Sequence, residues 1–429
     1  MDAVAAALAG ANFERLNASL ARDSRGRWGA RLDDVHLSSA FQPVYSLAHG
    51  RAVGHEALLR ARDGAGRPVA ARTALRGDGS FADMLRADRA ARLIHALNFA
   101  EHAPSAHWLF LNIQPQVFVA IATLIQDGFQ RRLLERSGLP GHQFVLEVVE
   151  DAVPEGADFD GGLRGARHDG CLIALDDFGA GHSNFDRVWR LKPEIVKLDR
   201  GLVRRAAIEP QAQRVVAQMV TLLHHCGALV LMEGVQTEAE AFVALDANAD
   251  LVQGEWFGAP ATDLAAHTET PQALRDLWGA YEDRRARRQQ GYQQRIRPYV
   301  DAIAFASLRL VDGDLLADAT RAFLRLPQAE VSYLIDRDGR QIGDNAWAEQ
   351  RLAREPPSFA PMRETEGAQW GRRPYFRRAM ESVGEVQVTR PYRTLHGAHL
   401  CVTVSVAFCA GPDELRVVCG DIGWEGSES

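Results

Sequence analysis

Residues 172–199 read LIALDDFGAGHSNFDRVWRLKPEIVKLD. The run Leu172-Ile173-Ala174-Leu175 is short, apolar and bounded by turn residues, the pattern of a buried strand. It runs into two adjacent carboxylates, Asp176 and Asp177, and then into the glycine loop Phe178-Gly179-Ala180-Gly181. The stretch from His182 to Leu191 reads as a short helix ended by Lys192-Pro193. Glu194-Ile195-Val196 reads as a second strand that delivers Lys197 and Asp199. Two successive strands thus carry charged residues at their C-terminal ends, where a parallel α/β barrel gathers its catalytic groups. A lone Asp-Asp pair more often only caps a loop, so the flanking sequence has to decide.

Outward from this stretch the same pattern recurs. Phe41–Tyr45 reads as a first strand preceded by polar sequence, with Gln42 inside it. Ala52–Leu58 reads as a second, with Glu56 within it and Arg60 just beyond. Trp108–Leu111 ends in Asn112, and Phe144–Leu146 ends at Glu147 with Glu150 one turn on. Ala228–Met232 ends in Glu233-Gly234, and Asp250–Val252 leads to Gln253-Gly254. Helical patterns lie between them, at about 81–100, after Pro115 through Val117, Phe118, Ile121, Leu124 and Ile125, at 200–225 and at 236–247. About eight strands alternating with helices suit a (β/α)₈-type barrel. A single strand-end glutamate is usually a solvated loop residue. Five strand-end carboxylates, an amide and a lysine brought to one mouth are harder to dismiss.

That set has a chemistry. Hard oxygen ligands without a histidine cluster favour Mg²⁺ or Mn²⁺ over zinc. Adjacent Asp176 and Asp177 suit two ions, one carboxylate bridging, and such a pair clamps the attacking and leaving oxygens of a phosphoryl displacement. Arg60 suits a phosphate oxygen. Of the 49 basic residues only Lys192 and Lys197 are lysines. Where arginine serves for charge, a retained lysine points to a compact ammonium with a movable pKa. Lys197 beside the carboxylates fits that role, and Lys192 in its turn reads as surface. Residue types and spacing alone therefore reach a metal-dependent phosphoester hydrolase.

Composition bounds the rest. The chain has 429 residues, 46% hydrophobic and 24% charged, enough for two or three globular domains. Its formal net charge of −7 gives no overall attraction to nucleic acid. No apolar run is long enough to span a bilayer. The Ala-rich N-terminus lacks a basic n-region and reads as a helix, not a signal peptide. The five cysteines, Cys171, Cys226, Cys401, Cys409 and Cys419, form no C-x-x-C pair and are expected to be reduced, buried thiols of a cytoplasmic protein.

The ordered blocks FQPV, HEALLR, LNIQP, LEVVE, DDFGAG, VKLD, EGVQ and QGEWFGAP, spread over residues 38–262, resemble the EAL-domain family of cyclic di-GMP phosphodiesterases. Its naming motif stands here as Glu56-Ala57-Leu58. The resemblance implies a modified TIM (β/α)₈ barrel that hydrolyses cyclic di-GMP to linear pGpG. By the same resemblance, Glu56, Asn112, Glu147 and Asp176 look like ligands of one divalent cation, and Asp176, Asp177 and Glu233 of a second. Lys197 resembles the lysine that contacts the nucleophilic water, and Asp199 a supporting acid near it. Glu150 matches the glutamate that holds the loop after Asp177. Gln42 and Arg60 resemble substrate contacts, and Gln253 the active-site glutamine. Ala180 and Val149 stand where threonine is common, and EGVQ ends in Gln236 where glutamate is usual. No inferred ligand is lost, so the resemblance is to a hydrolytic member. The rival is a receptor that binds cyclic di-GMP and signals without cutting it.

The remaining chain divides into 1–37, an N-terminal helix with an irregular polar connector; 263–330, a helical linker; and 331–429, a smaller α+β domain. The basic run at 283–298, DRRARRQQGYQQRIRP, lacks aromatic interleaving and reads as a solvated helix; no nucleic-acid polymer is expected as partner. The DRDG turn at 336–339, the RPYFRRA helix and Pro391-Tyr392 resemble PAS/Cache-type sensor domains. That likeness makes Arg377, Tyr392 and Asp421 candidate contacts for a small-molecule ligand. It also implies regulation or homodimerisation of the barrel.

Overall fold

The computed structural model describes residues 12–76, 79–103, 106–114, 116–118, 128–149, 157–181, 185–264, 269–349, 364–393, 400–411 and 414–424. The chain forms two compact units, Met1–Tyr281 and Glu282–Ser429. The strands of the first are β1 Leu20–Arg22, β2 Trp28–Leu32, β3 Val35–Ser46, β4 Arg51–Arg62, β5 Pro68–Val69, β6 Trp108–Asn112, β7 Phe144–Val149, β8 Leu172–Phe178, β9 Ile195–Leu198, β10 Leu229–Met232 and β11 Leu251–Val252.

Strands β4, β6, β7, β8, β9, β10 and β11 pair in that order, all parallel. β3 closes the ring between β11 and β4 and is antiparallel to both. Only Leu47–Gly50 join β3 to β4, and a parallel return needs a crossover of about a dozen residues or more. The eight-stranded barrel expected from the sequence is present, modified by one reversed strand.

Side chains alternate across a strand, and this places the site. Val44, Phe110, Val145, Ala174, Ile195, Leu231 and Leu251, one from each of seven ring strands, form an enclosed apolar cluster. The eighth strand offers Gly54. A Cβ there would lie 2.8 Å from the Trp108 carbonyl oxygen and 2.9 Å from the Phe110 ring, so the missing side chain makes room for Phe110. Two residues along each strand, on the same inner face, stand Gln42, Glu56, Asn112, Glu147, Asp176, Lys197, Glu233 and Gln253. The barrel floor is apolar and the tier above it is polar.

Helices at 81–102, 129–137, 157–168, 185–191, 200–208, 210–225 and 238–246 cover the ring. Leu85, Leu93, Ile94 and Phe99 of the first are fully buried in the core between ring and helices. The last begins with a capping box, Thr237 and Glu240 each bonding the other's backbone N–H, a device worth about 1 kcal/mol. The single helix expected over 200–225 is two, because Pro210 drives Glu209 to φ −105°, ψ 114°.

Further sequence expectations are corrected. The connector before β3 is not irregular. β1 and β2 form a hairpin in which Asp23 accepts from the N–H groups of Arg25 and Arg27 at 2.8 and 3.0 Å. Trp28, Ala30 and Leu32 share one face of it, the alternation of a half-buried strand. Cys409 is exposed and Cys226 half-buried, whereas Cys171, Cys401 and Cys419 are buried as expected. The helix expected after Pro115 lies mostly outside the described residues. Among the described residues no helix is long and apolar enough to cross a membrane.

The second unit carries β12 Ala329–Asp336, β13 Gln341–Trp347, β14 Gln387–Val388, β15 Tyr392–Arg393, β16 Leu400–Gly411 and β17 Glu414–Gly423. They form one antiparallel sheet in the order β13-β12-β17-β16-β14, with β15 also on β16. Asp336 shapes the β12–β13 turn by accepting from the N–H groups of Asp338 and Arg340. One sheet face packs on Ile296, Tyr299 and Ile303 of the helix Gln272–Val311, the other on Tyr375, Phe376 and Ala379 of the helix Pro374–Glu381. The stretch expected as a linker is therefore, from Glu282 on, part of this unit's core.

Candidate active site

The polar tier converges on Lys197. Its side chain is 1% exposed and its Nζ meets Glu147, Glu233 at 2.5 Å, Asp176 at 3.2 Å and Glu56 at 3.7 Å. Asn112 donates to Glu56 Oε1 at 2.9 Å, and Gln253 to Glu56 Oε2 at 2.7 Å and to Gln42 Oε1 at 3.2 Å. Gln42 in turn donates to the Gly258 carbonyl. Cross-strand register makes this network: Gln42 stands opposite Glu56 and Asn112 opposite Glu147.

Four carboxylates share one ammonium. Burial, with the Glu56 charge beside it, raises Glu147 well above the carboxylate range. Burial and the charges of Asp176 and Glu56 push Glu233 up to about 8. Burial also raises Glu56, but Lys197 and the amide donors outweigh it and hold this carboxyl low. Burial would lower Lys197, yet its carboxylate neighbours, Asp176 first, keep it well above its ordinary value. Both oxygens of Glu147 and one of Glu233 are buried, with the Lys197 ammonium against Glu147 Oε1 and Glu233 Oε1.

The residues fit divalent cations. Ligand atoms of Asp176, Asp177 and Glu233 lie within 4.8 Å of one another, as do those of Glu56, Glu147 and Glu233. The first group is the expected second-ion set. In the other, Glu233 replaces Asp176 as the near neighbour. Asp177 lies within a register shift of β8, between Leu175 and Phe178, and has φ +57°, a left-handed conformation that aspartate tolerates better than most residues. Burial and the neighbouring Asp176 raise its pKa.

The other expected residues are placed less centrally. Arg60 is exposed on β4, on the same face as Glu56, and donates to the Leu59 carbonyl. Asp199 caps the helix Arg200–Ile208 by accepting from the Gly201 N–H at 2.8 Å. Glu150 lies outside the described residues. In the second unit Asp421 sits within β17. It accepts from the Thr403 hydroxyl at 2.6 Å and from Tyr333 at 3.4 Å, and Tyr392 bonds Thr403 at 2.6 Å. Arg377 stands apart from this network, exposed and donating to the Gly371 carbonyl.

Sequence reading missed three supports. Buried Asp88 pairs with Arg92 at 2.7 Å and accepts from the Gln114 N–H, fixing the segment after Asn112. Their i,i+4 spacing was the available signal, but such pairs normally lie in solvent. Gly258 anchors Gln42. Gly234, at φ +62°, follows Glu233, and a Cβ there would lie 2.4 Å from Arg200 Cβ. We expect Gly234→Ala to destabilise the barrel by about 1–2 kcal/mol and to lower turnover by displacing Glu233. Unchanged urea midpoint and rate would show that this turn is not constrained.

Asp421 gives a prediction of its own. Burial raises its carboxyl from an ordinary 3.8 to about 7. The folded unit then holds a proton that the unfolded chain releases. Its contribution to stability is full below pH ~4 and is lost as pH rises toward 7, by on the order of 4 kcal/mol. Asp421→Asn should flatten this profile in denaturant melts at pH 5 and pH 7.5. A wild-type midpoint equal at both would contradict the shift.

The EAL domain family profile matches residues 27–260, more than half of the chain. The chain is an EAL domain protein. A 129-residue stretch, 30% of the chain and 33% of the relative, is 30% identical to the cyclic di-GMP phosphodiesterase RocR of Pseudomonas aeruginosa. The cyclic di-GMP phosphodiesterase NbdA of the same organism is 27% identical over 266 residues, 57% of the chain and 31% of the relative. The chain thus spans about a third of the length of each of these curated relatives. The EAL-domain protein YkuI of Bacillus subtilis, crystallised with substrate c-di-GMP and calcium, shares the fold. Its TM-score is 0.76 at 20% identity, over 92% of this chain and 97% of that one.

Proposed function

We propose that this EAL protein is a phosphodiesterase that opens one phosphodiester of cyclic di-GMP to give linear pGpG. The observation that carries the reading is the polar tier, in which every ring strand contributes one hydrogen-bonding or charged side chain above an apolar floor. The names of RocR and NbdA support it. In this reading Glu56, Asn112, Glu147 and Asp176 hold one Mg²⁺ or Mn²⁺, and Asp176, Asp177 and Glu233 a second. The ions, when bound, supply Lewis acidity at the phosphoryl oxygens and lower the pKa of the attacking water.

The chain's own residues do the rest. Lys197 orients the attacking water with a compact ammonium. Gln42, Gln253 and Arg60 position the substrate, Arg60 by pairing a phosphate oxygen. Asp199 fixes the start of the helix that follows Lys197, and Glu150 holds the loop after Asp177. The second unit acts as a PAS/Cache-like sensor that regulates or dimerises the barrel, with Tyr392 and Asp421 as contacts for a small molecule and Arg377 at its margin. The protein works in the cytoplasm as a homodimer in signal transduction. Turnover should vanish in excess chelator and return with Mg²⁺ or Mn²⁺, while Ca²⁺ allows binding but inhibits, its looser geometry misplacing the water. Full activity in chelator would defeat the two-metal reading.

A further inference from the structure

Resting on the cyclic di-GMP reading, we infer that the open face of β2, β3 and β4 beyond the ring seats the nucleotide that is not being cut, and that Arg62 reads the edge of its guanine. β6 accompanies β4 only as far as Ala57. From Leu58 to Arg62, β4 continues past the ring beside the first part of β3, and β3 there pairs with β2. Side chains alternate along each strand. Leu37, Ser39 and Ala61 face inward and are buried, whereas His36, Ser38, Arg60 and Arg62 are exposed. The exposed side is the side that carries Gln42 and Glu56.

Register sets this side out in rows. Gln42 stands opposite Glu56 at the level of the catalytic tier, and Ala40 opposite Leu58 in the next row. Ser38 then stands opposite Arg60, and His36 opposite Arg62. β2 extends the last row by placing exposed Arg31 beside His36. At roughly 3.3 Å per residue, Arg62 lies about 20 Å along the strand from Glu56. The surface therefore runs from the carboxylates, across a small apolar step, to a row of cations. A dinucleotide whose reacting phosphodiester is held at the tier must lay its other half outside the ring, and this face is continuous with the tier.

The cations of the face are not neutralised. Among the described residues, Arg31, Arg60 and Arg62 form no ion pair, whereas arginines of the adjoining segments do: Arg27 with Asp23, Arg67 with Asp63, Arg76 and Arg86 with Asp33. Arg62 is also held in place. Its Nη1 donates to the Gly66 carbonyl at 2.8 Å. That turn is fixed by Asp63, which accepts from the N–H groups of Ala65 and Arg67, each at 2.9 Å. One N–H is thus tied down and the rest of the five-donor fork stays in water. A planar fork of donors matches the neighbouring O6 and N7 acceptors of guanine. It does not match adenine, which presents an amino group in place of O6. Arg60, one row nearer the tier, is left for the phosphate oxygen.

Steady-state kinetics of the full chain on cyclic di-GMP, with cyclic di-AMP as a competing ligand, test this. Arg62→Ala should raise KM at least ~10-fold, within the range for one bidentate arginine–guanine contact. Its kcat should stay within about two-fold, because the lost contact is made equally in ground and transition states. Inhibition by cyclic di-AMP should be the same in variant and wild type. Arg67→Ala, which removes an arginine already paired with Asp63, should leave KM unchanged. Wild-type KM in Arg62→Ala overturns the inference, and so does an equal weakening of both dinucleotides, which would mean that Arg62 supplies charge alone. A wild type that neither binds nor cuts cyclic di-GMP defeats the phosphodiesterase reading itself, and this inference with it.

Discussion

Asp176→Ala should abolish hydrolysis of cyclic di-GMP while leaving the barrel folded. Asp176 belongs to the carboxylate group with Asp177 and Glu233 and also contacts Lys197. In the two-metal reading it is the one residue shared by both ions. Losing a shared ligand removes several kcal/mol of transition-state stabilisation, a fall in rate of at least about 10³-fold. The fold should survive, because the substitution relieves like-charge crowding, costs the Asp177 N–H to Asp176 Oδ1 bond at 2.9 Å and the Lys197 contact at 3.2 Å, and leaves Lys197 three other carboxylates. The rise in melting temperature that Mg²⁺ or Mn²⁺ gives the wild type should shrink or disappear. A variant with near-wild-type turnover would refute the bridging role.

Lys197→Arg should be nearly as damaging as Lys197→Ala. The lysine is sealed in, ringed by four carboxylates. Guanidinium is planar, larger and effectively always charged. It cannot occupy the centre of that ring without spreading the carboxylates. Turnover should drop by at least ~10²-fold, the scale of loss when a positioning group is displaced by about 1 Å. Cyclic di-GMP affinity should fall much less, since Gln42, Arg60 and Gln253 remain. An arginine enzyme within a few-fold of wild type would mean that position 197 supplies charge alone.

The site was more legible in the sequence than the fold around it. Polar groups such as Glu147, Asp176 and Lys197 stand two residues beyond Val145, Ala174 and Ile195. The polar strand ends were legible one by one, whereas the apolar floor two residues below them emerges only when the strands pair. Glu56 is less transparent, because β4 continues six residues past it to pair with the start of β3. The reversal of β3 had a signal in the short Leu47–Gly50 connection, which cannot carry a parallel crossover. The left-handed turn at Asp177 had none, since aspartate occupies ordinary backbone as readily. The β1–β2 hairpin was hidden because its polar residues alternate with only Trp28, Ala30 and Leu32. In the second unit Leu400–Val404 and Leu415–Val418 have the apolar character of strands, but that Tyr392 reaches Asp421 through Thr403 depends on long-range pairing that no local pattern encodes.

The most direct test of the central claim is to incubate the purified full chain with cyclic di-GMP and Mg²⁺ or Mn²⁺ and resolve the products by chromatography. The account predicts loss of the cyclic dinucleotide with one-for-one appearance of linear pGpG. Cyclic di-GMP that binds and is recovered intact would contradict it and identify a receptor instead.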